Sequence, residues 1–129
     1  MNGFLLDTNI IVFSVAAPER LSASMRRAID HGPVYLSVLS HWEIFLKSGK
    51  GKLDIGDPRS WWQTALERLA ATELPLRPEH VHEIHTLPPI HQDPFDRALV
   101  AQAVAEELAL VTADSAVLRY ASPRLIVIA

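Results

Sequence analysis

No cysteine occurs among the 129 residues, which excludes disulfides and thiolate metal sites, so any metal here needs oxygen or imidazole ligands. Long apolar runs are missing too. None approaches the ~20 residues needed to span a bilayer, and no membrane segment is expected. The opening residues Met1, Asn2 and Gly3 carry no basic charge, and Asp7 soon interrupts the apolar stretch, so a secretory signal is not expected either. The expected location is the cytoplasm. Strong net charge is also lacking: 12 basic and 15 acidic residues leave −3. A protein that grips nucleic acid by bulk charge would be clearly basic. If four of the acids gather in one pocket, as argued below, the remaining surface is near neutral, and charge alone does not decide the partner.

Apolar residues are abundant, at 49%. That suits a packed core and a single domain over residues 1–129. Residues 4–6 read as a short buried strand ending at Asp7, with a helix starting at Thr8. Leu21, Met25, Ala28 and Ile29 recur at helical spacing, with Ser22 as a possible cap and Gly32-Pro33 as the stop. Residues 34–36 form a second strand. Residues 38–47 form a helix with Leu39, Trp42 and Leu46 along one side, leading into a basic turn at 48–52. Further helices are expected at 58–71, at 78–87 with Val81, Ile84 and Leu87 inward, and at 94–107, the last apolar enough to be central. Residues 108–112, 115–120 and 125–128 read as strand, helix and strand. Short continuous apolar strands separated by helices predict a three-layer α/β/α sandwich around a short parallel sheet.

In open parallel sheets, ligands bind beyond the carboxyl ends of the strands. Asp7 directly follows the first strand, and Asp114 lies two residues after the 108–112 strand. Both acids can point into one crevice, or each can cap the helix that follows it. Glu43 shares a helical face with Leu39 and Leu46, where a carboxylate needs a basic partner, a metal or the stripe's wet edge. Asp93-Pro94 fits the cap and first position of the long helix. Asp96 shares a face with Leu99, Val100 and Ala103, and Arg97 is free to pair with a carboxylate. Converging acids repel one another, and Mg²⁺ or Mn²⁺ resolves that conflict. Such ions activate water for in-line attack on a phosphodiester.

Leu5-Leu6-Asp7-Thr8-Asn9, Trp42-Glu43-Ile44, His91-Gln92-Asp93-Pro94-Phe95-Asp96-Arg97 with Ala101-Gln102-Ala103, and Leu110-Val111-Thr112-Ala113-Asp114 resemble PIN-domain proteins. More narrowly, they resemble VapC-type toxins of bacterial toxin–antitoxin pairs. The motifs run from residue 5 to residue 114 in the family's order. The resemblance implies a Mg²⁺- or Mn²⁺-dependent endoribonuclease, usually a homodimer, silenced by a partner antitoxin. It implies that Asp7, Glu43, Asp96 and Asp114 are the metal-binding and catalytic acids. Thr8 and Thr112 would be polar groups around the metal, and Asp93 either a water-mediated ligand or the helix cap alone. Gln92 stands where relatives often carry a basic residue.

Lys47, Lys50 and Lys52 cluster past Glu43 and can reach RNA phosphates as point charges, or can serve only as a solvated helix end. Arg26 and Arg27 read as ordinary surface. His80, His82 and His85 invite a zinc reading but lack a third ligand in register. His91 adjoins the acidic motif and either hydrogen-bonds across the pocket or is a plain loop residue. Trp61 and Trp62 read as helix packing rather than base stacking. A non-catalytic PIN-like module that binds RNA or protein is the main rival. A phosphatase of the haloacid-dehalogenase type is disfavoured by Asn9, where that motif needs a second aspartate.

Overall fold

The computed structural model describes residues 2–129. Among these, five parallel strands form one sheet in the order β3-β2-β1-β4-β5, with β1 Phe4–Leu6, β2 Val34–Ser37, β3 Thr72–Leu74, β4 Ala109–Val111 and β5 Val127–Ile128. Seven α-helices intervene: α1 Thr8–Ala16, α2 Ala23–His31, α3 Val38–Gly49, α4 Pro58–Arg68, α5 Pro78–Thr86, α6 Pro94–Glu106 and α7 Ser115–Leu118. A 3-10 turn at Pro18–Arg20 links α1 to α2.

Side chains alternate across the sheet, so two separate cores form, as the period of two in a strand requires. Phe4, Leu6, Leu36, Ala109 and Val111 face one way, onto Ile10 and Ile11 of α1, Met25 of α2, Ile44 of α3 and Trp62 of α4. Leu5 and Leu110 face the other way, onto Leu99, Val100 and Ala103 of α6 and Val117 of α7. The expected three layers are therefore present, with α5 packed on α6. The buried run Ala98–Ala103 makes α6 central, as its composition predicts.

Several local expectations are corrected. β3 was not foreseen, and the helix expected to run to residue 71 ends at Arg68. Trp42 is 56% exposed rather than aligned with the core. The inward residues of α3 are Leu39, as expected, with Ser40 and Ile44, and Trp42 points away from them. In α5 the inward residue is His80, fully buried, while Val81 is 41% exposed. His80 fits there because its Nδ1 accepts the Arg77 backbone N–H at 3.0 Å. His82 and His85 are exposed.

Trp62 joins the outer elements. It is fully buried, stacks on His41 with 4.8 Å between ring centres, and donates from Nε1 to Glu73 of β3 at 2.8 Å. We expect Trp62→Ala to lower the unfolding free energy by about 3–5 kcal/mol, read from urea denaturation. A loss below about 1 kcal/mol would contradict this role.

Candidate active site

The strand order reverses at β1, which pairs with β2 on one side and with β4, from the far end of the chain, on the other. That is the switch point where a crevice opens beyond the strand ends. Leu6 lies opposite Val111, so Asp7 and Thr112 leave the sheet side by side, and the Asp7 N–H donates to the Val111 carbonyl at 3.0 Å.

A cavity of about 240 Å³ opens there, lined by Asp7, Thr8, Asn9, Glu43, Lys47, His91, Asp93, Asp96 and Asp114. All four predicted acids, together with Thr8, Asp93 and Lys47, thus meet at one place. Thr112 stands behind Asp7. Lys50 and Lys52 are exposed on the turn after α3 and do not line the cavity. Larger grooves exist, including one of about 850 Å³ between α2 and β5, but it contains none of these acids.

Capping and site-facing roles coincide at Asp7 and Asp114. Asp7 Oδ1 accepts the Ile10 N–H at 3.0 Å and caps α1, while Oδ2 accepts the Thr112 hydroxyl. Asp114 Oδ1 accepts the N–H groups of Ala116 and Val117 at 2.8 and 3.3 Å and caps α7. Its Oδ2 is 3.4 Å from His91 Nε2. Asp93 caps α6, its Oδ1 accepting from Phe95 and Asp96 at 2.8 and 3.1 Å. Asp96, one turn into α6, has Oδ2 2.9 Å from His91 Nε2. Glu43 Oε1 accepts the Thr8 hydroxyl at 2.5 Å, and Oε2 pairs with Lys47 at 3.2 Å.

Three contributors were not assigned a site role from the sequence. Ser40 Oγ lies 3.0 Å from the Thr8 hydroxyl. With Glu43 and Lys47 it forms a polar stripe at helical spacing, a signal the sequence does carry. Asn9 lines the cavity. Tyr120, 29 residues further along the chain, accepts the His91 N–H at 2.9 Å through its hydroxyl. Arg97 was available to pair with an acid. Instead it donates to the carbonyls of Ile84 and Pro88 at 3.2 and 3.1 Å and to Tyr120 at 3.2 Å. The Ile84 carbonyl, in the last turn of α5, and the Pro88 carbonyl beyond it already accept the N–H groups of Leu87 and Ile90, and the guanidinium adds a second donor to each.

The donor set suits a hard cation. It is built from carboxylate oxygens and offers no thiolate. Burial, more than any other effect, raises the Asp7 carboxyl above its ordinary value, against the Thr112 and Ile10 hydrogen bonds and with help from the charges of Asp114 and Glu43. Burial also pushes Asp96 up to about 7; Asp93, Asp114 and Glu43 add to the rise, and His91 opposes it. Crowded negative charge of this kind is what a bound Mg²⁺ or Mn²⁺ would neutralise.

The fold and this cavity define an α/β/α protein with an acidic pocket at the switch point of a parallel sheet. The family follows directly: the model described as "PIN domain" matches residues 4–123, and the chain belongs to the PIN domain family. No curated protein matches the chain significantly. Among solved structures, VapBC2 from Rickettsia felis, bound to a DNA fragment from its promoter, aligns with TM-score 0.71 at 18% identity, covering 96% of each chain. DNA-bound VapBC from Salmonella typhimurium aligns with TM-score 0.69 at 15% identity, covering 98% of this chain and 97% of that one. VapBC-5 from Mycobacterium tuberculosis, of the VapBC family of toxin–antitoxin systems, aligns with TM-score 0.63 at 17% identity, covering 99% and 98%. At these identities the likeness speaks to the fold.

The raised carboxyl of Asp96 sets a pH dependence. Between its ordinary 3.8 and about 7, the folded state keeps a proton that the unfolded chain has released. Raising the pH through that window therefore lowers stability, and Asp7 acts in the same sense. In chelator, the melting temperature of the wild type should fall more between about pH 5 and about pH 8 than that of Asp96→Asn. Equal slopes for the two proteins would refute the assignment.

Proposed function

We propose that the chain is a Mg²⁺- or Mn²⁺-dependent endoribonuclease, the toxin of a VapC-like toxin–antitoxin pair. It is a single PIN-like domain over residues 1–129, acting in the cytoplasm as a homodimer and held silent by a protein antitoxin. The observation that carries this reading is the meeting of Asp7, Glu43, Asp96 and Asp114 in one cavity, from four separate stretches of chain. The partner is supported by the neighbours, several of which are themselves toxin–antitoxin complexes. Among the described residues no helix is long and apolar enough to cross a membrane.

In this reading Asp7, Asp96 and Asp114 hold the cation, with Glu43 bound directly or through water. The ion supplies Lewis-acid activation of water and stabilises the leaving oxygen. The chain's own residues hold this arrangement in register. Thr112 fixes the Asp7 carboxylate by its hydroxyl, and Thr8 does the same for Glu43. Lys47, in the cavity wall, brings positive charge toward a phosphate, and Lys50 and Lys52 extend that charge outward along the turn. Asp93 sets the start of α6 and so the position of Asp96.

The test uses purified protein free of antitoxin and a panel of structured and single-stranded RNAs. Cutting should require Mg²⁺ or Mn²⁺ and stop with chelator. Asp7→Asn should reduce cutting to background and leave the melting curve nearly unchanged, since asparagine caps a helix about as well as aspartate. RNA binding without any cutting would favour the non-catalytic module, and cutting by a folded Asp7→Asn protein would remove the mechanism.

A further inference from the structure

His91 sits where it could serve as a further metal ligand: its Nε2 and one oxygen each of Asp96 and Asp114 lie within 4.8 Å of one another. Its hydrogen bonds assign it a different task. His91 Nδ1 accepts the backbone N–H of Asp93 at 3.2 Å. A nitrogen that accepts carries the lone pair, so in the neutral ring the proton resides on Nε2. Nε2 then faces two acceptors, Asp96 Oδ2 at 2.9 Å and Asp114 Oδ2 at 3.4 Å. A nitrogen that bears hydrogen has no lone pair to offer a cation.

The ring is also held from behind. The His91 N–H donates to the Tyr120 hydroxyl at 2.9 Å, and Arg97 donates to that hydroxyl and to the Pro88 carbonyl. Rotating the ring to free Nε2 would give up the Asp93 bond. The imidazole is thus a fixed donor, set across the gap between α6 and α7.

We propose that His91 is a positioning residue: its Nε2–H bridges Asp96 and Asp114, holds their carboxylates at a spacing a cation can use, and remains outside the coordination sphere. Polar groups that orient ligand carboxylates in this way commonly govern metal affinity without touching the metal. The part that concerns the cation rests on the metal reading above; the bridge itself is a property of the protein without any ion.

The two parts are tested separately. With ¹⁵N-labelled histidine, NMR of metal-free protein should show His91 as the Nε2–H tautomer, and the Mg²⁺-loaded protein should show the same tautomer. An Nδ1–H ring in either state overturns the bridge. Pulsed EPR of Mn²⁺-loaded protein should show no directly bound nitrogen, whereas a strong histidine coupling would make His91 a ligand and overturn the proposal. By calorimetry, His91→Leu should weaken Mn²⁺ binding about 10–100-fold while the protein still unfolds in one cooperative transition. His91→Gln, which keeps an N–H at similar reach, should recover much of that loss. Equal Mn²⁺ affinity in wild type and His91→Leu would overturn the positioning role. Absence of Mn²⁺ and Mg²⁺ binding by the wild type would overturn the metal reading and the positioning role together, while the metal-free NMR result would still judge the bridge.

Discussion

The hydrogen bond from the Thr112 hydroxyl to Asp7 joins the ends of the two central strands, and the site is organised around it. β1 and β4 come from opposite ends of the chain, and their parallel register brings residues 105 positions apart into contact. A carboxylate taken out of water at that seam needs partners on both oxygens. Ile10 supplies one and Thr112 the other, and Thr112 in turn accepts the Asp114 N–H at 3.0 Å. A continuous set of hydrogen bonds therefore connects the start of α1, the end of β4 and the start of α7. The positions of two acids are settled before any ligand arrives.

Electrostatics works against this order, and the surrounding groups offset it. Asp7 and Asp96 are both held above the ordinary carboxylate range by burial and by neighbouring acids. The counterweights are few: Lys47 beside Glu43, the His91 ring between Asp96 and Asp114, and backbone N–H groups at the starts of α1, α6 and α7. Helix starts carry partial positive charge and favour acids. Each acid has a specific protein neighbour, although the Asp114 side chain also stays 33% exposed.

Much of this was legible in the sequence because it depends on local patterns. The three-layer class follows from short apolar strands alternating with helices, and the crevice follows from the strand-end placement of Asp7 and Asp114. What escaped depends on the third dimension. β3 has Thr72 and Glu73 exposed, so no apolar run marks it; it is a strand because β2 offers it a free edge. In α5, Val81 was the obvious inward residue, yet the helix turns His80 to the core, where the Arg77 N–H donates to its Nδ1 while Nε2 has no hydrogen-bond partner. Arg97 was readable as a cation near acids, but the Ile84 and Pro88 carbonyls come within its reach only once that loop folds. The choice between cap and site for Asp7 and Asp114 was open because sequence treats a carboxylate as one group, whereas the fold uses its two oxygens separately.

That division has a further consequence. Asp7 and Asp114 are fastened to the first turns of α1 and α7, so fraying of either turn carries its acid away with it. Breathing of the helix ends and dispersal of the acid cluster are then a single equilibrium, and an ion that holds the cluster together also clamps the beginnings of helices that lie on opposite faces of the sheet.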